Sequence, residues 1–291
     1  MLCYEGVLGC LENSRQQTKA ERTGVWHIMT AKENRRYLIA APMYNEENVA
    51  RLVVEDHLAA LPPLGIDYEL LIIDDGSSDR TGEILDSFGD QITVIRNEKN
   101  KGVGAAFAAM LEYCRLHDKT HFVFQEGSYK VRAREIVKII QLAQGGDYDY
   151  ILGSRFLQRE NATQTPWQRR ALIRPFSTLF RWITGFDVTD ITCGPRMVRM
   201  AAWNNRLNSM SQHFGYQFEH IITIWLLHHQ ARYLPVAVEI QYPELRNYSY
   251  INLGNIWQII EPWVHYCAWR LTRLPGLKPE WLLARDDKQE L

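Results

Sequence analysis

No apolar run in the 291-residue chain approaches the roughly 18 uninterrupted residues that a membrane-spanning helix needs. The N-terminus lacks the basic-then-apolar order of a secretory signal. Five cysteines (Cys3, Cys10, Cys114, Cys193, Cys267) are odd in number and form no Cys-x-x-Cys spacing. A disulfide framework and a paired-cysteine zinc site are therefore not expected, and a reducing, cytoplasmic setting is. Neither sign of charge prevails: 33 Lys and Arg stand against 34 Asp and Glu, a formal net of -1. Without a basic excess, nucleic acid is not an expected partner. No internal repeat or low-complexity segment interrupts the chain.

With 46% hydrophobic residues, the chain can bury one large core or two modest ones. Its most informative stretch is Glu69-Leu70-Leu71-Ile72-Ile73-Asp74-Asp75-Gly76-Ser77-Ser78-Asp79-Arg80-Thr81. An apolar run bounded by turn residues reads as a strand buried on both faces, as in a parallel sheet. Two carboxylates at its carboxyl end lie where open α/β sheets bind ligands. Ser78 or Asp79 can cap a helix starting near Thr81, so a plain strand-to-helix turn is the competing account of the same residues.

Around this stretch β and α patterns alternate. Strands are expected at 36–42, 68–73, 92–95, 121–124 and 150–153, with helices at 45–61, 82–88, 105–117 and 133–144. Beyond Arg155 come a helical stretch at 166–184, a helix at 216–229, a strand at 233–242 and aromatic-rich helices interrupted by Pro262. The expected fold is α/β, a mostly parallel sheet with helices on both faces. Residues 1–35 are polar and aperiodic and read as a flexible leader or a misassigned start; a domain over 36–249 and a helical tail over 250–291 follow.

Five segments in order carry a resemblance. Pro42-Met43-Tyr44-Asn45-Glu46 closes the first strand and Asp74-Asp75-Gly76-Ser77-Ser78-Asp79 the second. Asn100-Lys101-Gly102-Val103-Gly104-Ala105-Ala106 opens a helix, Gly153-Ser154-Arg155 closes a later strand, and Asp190-x-Thr192-x-Gly194-x-Arg196 follows. Together they resemble the family 2 glycosyltransferases of GT-A fold, most of all the polyprenyl-phosphate (dolichol-phosphate) mannosyl- and glucosyltransferases.

The resemblance implies inverting transfer of a sugar from a nucleoside diphosphate, GDP-mannose-like or a UDP-sugar, to a polyprenyl phosphate. It implies that Pro42, Tyr44, Glu46, Ile73 and Asp75 line the base and ribose pocket, with Gln125 on the donor side. Arg155 matches an arginine that faces phosphate, a role suited to a bidentate fork. Arg169, Arg170 and Arg174, after Trp167, fall where the family collects acceptor-phosphate arginines; a solvated helix face is the alternative. Asp190 shapes the acceptor site or caps a buried turn. Arg246 matches an arginine of a mobile segment over the donor pyrophosphate.

The chain departs from the family at the end of the 121–124 strand. There the family carries Asp-x-Asp, which holds Mg²⁺ or Mn²⁺ on the pyrophosphate; here the residues are Gln125-Glu126-Gly127. Glu126, in the middle position, becomes the candidate catalytic and metal-binding carboxylate if its longer arm reaches the diphosphate. Asn252 replaces a family lysine, and Lys130, Arg132 and Arg134 are candidates to supply the missing positive charge. The pattern suits an active transferase with relaxed or absent metal dependence, or a non-catalytic nucleotide-sugar-binding or scaffold relative. In the tail, Trp257, Trp263, Tyr266 and Trp269 with Arg270 and Arg273 either meet the cytoplasmic face of a membrane or pack on the core.

Overall fold

The computed structural model describes residues 34–203, 215, 217–242 and 253–283. Strands β1 (Arg36–Met43), β2 (Asp67–Asp74), β3 (Thr93–Arg96), β4 (His121–Phe124), β5 (Tyr150–Ser154), β6 (Arg196–Arg199) and β7 (Tyr233–Ala237) form one sheet. Its order is β3-β2-β1-β4-β6-β5-β7, and β6 alone among the described strands runs antiparallel to its neighbours. The helices are α1 (Ala50–Ala60), α2 (Thr81–Asp86), α3 (Val103–Leu116), α4 (Ala133–Gly145), α5 (Arg159–Gln164), α6 (Trp167–Thr184), α7 (Phe218–His228) and α8 (Leu253–Thr272).

Side chains of a strand alternate between the two faces of its sheet, so an unbroken apolar run feeds two cores at once. Leu38, Ala40, Leu71, Ile73, Phe122 and Phe124 enter one core with Phe107 of α3, Phe180 of α6, Ile221 of α7 and Trp263 of α8. Tyr37, Ile39, Ala41, Leu70, Ile72 and Val123 enter the other with Val53 and Val54 of α1 and Ile136 and Ile140 of α4. The expected α/β sheet with helices on both faces is what forms.

Three details differ from the sequence reading. The helix expected from residue 45 starts at Ala50, because Asn45 adopts φ +53° and the following residues turn to bond the next loop. Strand β6 had no apolar run to announce it, having arginine at both ends of four residues. Pro262 does not break the tail: α8 runs through it, anchored by the fully buried Trp263 and Tyr266. Trp263 meets Phe180 edge-on at 4.5 Å between ring centroids. These two aromatics are therefore core residues, whereas Trp257 is exposed.

From β1 the chain steps outward to β2 and β3, then returns to the other side of β1 for β4. The carboxyl ends of β1 and β4 thus flank a topological switch point, where open α/β sheets hold ligands. Because β6 is reversed, its first residue, Arg196, lies at this same end, paired with Phe124 and Leu152. The preceding 189–195 segment is delivered there with it.

Burial, with nearby arginine charge, pushes the His121 and His220 imidazoles down to about 3, and burial also lowers His57. An unfolded histidine titrates near ~6.5. Between these values the unfolded chain binds more protons, so stability rises with pH across the window and falls as pH drops below ~6.5. Thermal melts should show a lower Tm at about pH 5.5 than at about pH 7.5; an unchanged or higher Tm at the acidic end would contradict this account.

Candidate active site

At the end of β2 both carboxylates are buried. Asp74 accepts the Ser77 amide at 3.0 Å and Arg96 Nε at 2.9 Å. Asp75 accepts Asn97 Nδ2 at 2.8 Å, the Lys101 amide at 3.0 Å and the Gly102 amide at 2.8 Å. A buried charge needs such donors, and meeting the need draws the 97–102 segment over the strand end. Gly76 permits the close approach: it sits at φ +75°, and a Cβ there would lie 2.5 Å from the Lys99 carbonyl carbon.

The loop after β1 is tied to the same region. Ser77 Oγ accepts the Asn45 amide at 3.0 Å, Asn45 Oδ1 accepts the Ser78 amide at 2.8 Å, and Thr81 Oγ1 accepts the Glu46 amide at 2.8 Å. Asp79, rather than Ser78, steadies the start of α2 by accepting the Thr81 amide at 2.9 Å. Pro42, Tyr44, Glu46, Ile73 and Asp75 all therefore belong to one strand-end region. Tyr44 is exposed there, Ile73 is fully buried, and Asp75 faces the 97–102 segment.

Strand alternation also decides the β4 end. Val123 packs toward α1 and α4, and Gln125, two residues on, is fully buried beside His57 of α1. Neither atom of its amide makes a hydrogen bond of ordinary geometry, nor does His57 Nε2. Glu126 turns the other way, over Gly194, where an added Cβ would lie 2.8 Å from Oε1. Lys130 Nζ lies 3.8 Å from Glu126 Oε2. At Gly127 a Cβ would lie 2.3 Å from the Pro42 carbonyl oxygen, so that position has no room for a side chain.

Hard divalent cations take oxygen ligands, chiefly carboxylates beside substrate phosphates. The two outer positions here are a buried amide and a closed glycine, and the one remaining carboxylate already faces an ammonium. The residues present do not fit a divalent cation. Among the described residues no group of three or more His, Cys, Asp and Glu side chains is placed to hold a metal ion. Of the three candidate replacement cations, Lys130 faces Glu126. Arg132 instead donates to Gln241 Oε1 at 2.9 Å, and Arg134 pairs with Glu239 at 2.5 Å.

Beyond β5, Arg155 and Asp190 form a buried bidentate pair, 3% and 1% exposed. Arg155 Nε and Nη2 donate to the two carboxylate oxygens at 2.7 and 2.8 Å; Nη2 also reaches Thr192 Oγ1 at 2.6 Å, and Nη1 reaches Tyr242 Oη at 2.8 Å. Burial alone would raise the Asp190 pKa, but the Arg155 charge and hydrogen bonds outweigh it and hold the carboxyl below its usual range. The fork that the resemblance directs at phosphate is largely committed to Asp190, Thr192 and Tyr242.

Arg169 of α6 stacks over the Tyr242 ring at 5.6 Å. Arg174 lies 5.7 Å from the Phe156 ring, which is 5.5 Å from Arg155. Arg155, Arg169 and Arg174 thus converge on two aromatic rings, while Arg170 reaches back toward the Ala162 carbonyl of α5. Arg246 and Asn252 lie outside the described residues.

Sequence reasoning passed over Glu219. Its carboxylate meets the buried Arg196 at 3.0 Å, and Arg196 also donates to the carbonyls of Cys193 and Gly194 at 2.7 and 2.9 Å. Burial raises the Glu219 pKa; Arg196 opposes the rise and the Glu126 charge adds to it. The available signal was the one acid of a mostly apolar helix, placed in its first turn.

The sheet order and the switch-point cleft define a GT-A-like α/β domain. The Glycosyl transferase family 2 model matches residues 38–207, and the chain belongs to that family. Polyprenol monophosphomannose synthase of Mycolicibacterium smegmatis is 28% identical over 174 residues, 58% of this chain and 64% of that protein. Undecaprenyl-phosphate 4-deoxy-4-formamido-L-arabinose transferase of Edwardsiella ictaluri is 28% identical over 166 residues, 55% and 48%. The chain thus spans about half to two thirds of the length of these curated relatives. A solved structure of glucosyl-3-phosphoglycerate synthase from Mycobacterium tuberculosis, with Mn²⁺, UDP and phosphoglyceric acid, has a TM-score of 0.58 at 18% identity, covering 82% of this chain and 85% of that one. At that identity the likeness is one of fold.

Removing one member of a buried ion pair strands the other charge, at about 3–5 kcal/mol. Asp190→Ala should therefore shift the urea midpoint by that much stability, and Arg155→Met/Asp190→Leu by less. A midpoint equal to that of the parent chain in the single variant would show that the pair does not hold the 190–196 segment.

Proposed function

We propose that this chain transfers a sugar, with inversion, from a nucleoside-diphosphate sugar to an acceptor phosphate, and that the acceptor is a polyprenyl phosphate. One observation carries the reading: Arg155, Arg169 and Arg174 converge around Phe156 and Tyr242 beyond the switch point. Planar guanidinium groups suit phosphate oxygens. A phosphate acceptor is already anionic and needs no base to activate it, whereas a hydroxyl acceptor does. That agrees with a cleft whose carboxylates Glu126 and Glu219 face Lys130 and Arg196.

In this reading the donor base and ribose lie over Pro42, Tyr44 and Glu46. Asp75 and Ile73 act from below, Asp75 by holding the 97–102 wall and Ile73 by packing. Arg169, Arg170 and Arg174 bind the acceptor phosphate, and the Arg155–Asp190 pair positions Tyr242 and the 190–192 turn beside it. Lys130, held by Glu126, lends positive charge to the departing diphosphate, with Gln125 filling the floor. Arg246 is assigned to the donor pyrophosphate. The reaction proceeds without a divalent cation at the β4 end. The chemistry belongs to residues 36–249, with 250–291 a tail, on the cytoplasmic side of a membrane. Among the described residues no helix is long and apolar enough to cross one.

Gln125 and Gly127 favour a second reading, a relative that binds the nucleotide sugar and does not turn it over. Labelled GDP- and UDP-sugars offered with a polyprenyl phosphate separate the two. Lipid-linked sugar should form at the same rate with and without EDTA, and Arg174→Ala should lower kcat/KM by about 10–100-fold, the worth of a charged hydrogen bond. Nucleotide binding without transfer from any donor would establish the second reading instead.

A further inference from the structure

We infer that the outer face of α6 is a docking surface for an anionic bilayer. Within its 18 residues α6 carries Arg169, Arg170, Arg174 and Arg181 and no acid, in a chain whose formal net charge is -1. Trp167, Leu172, Leu179 and Trp182 are 67%, 50%, 50% and 80% exposed. At about 100° per residue these four fall in one sector about 140° wide, and exposed Pro175 falls within it. Ile173, Ser177, Phe180 and Thr184 occupy the opposite side and are buried. Arg170, Arg174 and Arg181 lie along the border between the two sides. At about 1.5 Å per residue the stripe runs about 22 Å, with a tryptophan at either end.

Scattered exposed apolar residues are ordinary, but an aligned stripe of this length marks an interaction surface. Three features commit it to lipid. Tryptophan at the ends suits the membrane–water boundary, where an amphipathic ring sits at headgroup level. Arginines along one border complement anionic headgroups. A second copy would bring its own four arginines to the contact with no acid on α6 to meet them; the nearby Asp187 already pairs with Arg181 at 2.6 Å. Trp263 and Tyr266 of the tail are fully buried and take no part in the contact.

If the proposed function holds, docking brings Arg169, Arg170 and Arg174 to the depth of a lipid phosphate, though docking itself does not require that reading. The test is flotation of the full chain with vesicles of phosphatidylcholine, alone or mixed with phosphatidylglycerol. The chain should float with the mixed vesicles, less at high salt and less with phosphatidylcholine alone. Leu179→Ser/Trp182→Ser, checked for an unchanged Tm, should lose at least about tenfold in partitioning. Absent flotation of the parent chain, equal flotation of the variant, or a dimer in size-exclusion chromatography that the variant dissociates would each overturn the inference. Sugar transfer measured in detergent separates the two ideas: transfer without flotation removes docking alone, and flotation without transfer removes the transferase reading alone.

Discussion

A carboxylate taken out of water at the end of a strand must be surrounded by donors, and this requirement organises the whole carboxyl edge of the sheet. Asp74 claims the Ser77 amide and Arg96, Asp75 claims the 97–102 segment, and Asp190 claims Arg155. Each claim fixes a different loop. Hydrogen bonds to charged groups contribute about 1.5–3 kcal/mol each, enough to hold short segments that have few apolar contacts of their own. The loops around the strand ends are therefore tied to the sheet by the carboxylates themselves.

Within that frame the charges are matched locally. Glu126 faces Lys130, Glu219 faces Arg196, and Asp190 faces Arg155. Such pairing leaves little unbalanced negative charge to attract a cation and suits ligands that are themselves anionic. The structures of glucosyl-3-phosphoglycerate synthase that contain Mn²⁺ share the fold, yet the fold alone does not supply the ligands.

Most strands were legible because an apolar run flanked by Gly, Pro or Asp has few other uses, as at 68–73 and 121–124. Strand β6 was not, since Arg196-Met197-Val198-Arg199 gains its place only by pairing with β4 and β5, which no local pattern records. Pro262 misled for a similar reason: a lost backbone hydrogen bond is outweighed by burial of Trp263 and Tyr266, a fact of tertiary packing. At the site, the strand-end residues were visible as types, but their partners were not. Asp75 reads as a ligand group until Asn97, Lys101 and Gly102 are seen around it, and Glu219 stays hidden until Arg196 is placed beside it.

Gly127 carries a consequence for redesign. A Cβ there would run into the Pro42 carbonyl and the Met43 side chain, so the loop occupies space that a side chain would need. Aspartate placed there by a single substitution would meet a wall of backbone. A carboxylate at this position becomes reachable only after the neighbouring backbone retreats. Building a carboxylate pair at this strand end therefore has to begin with the backbone around Pro42 rather than with the residue itself.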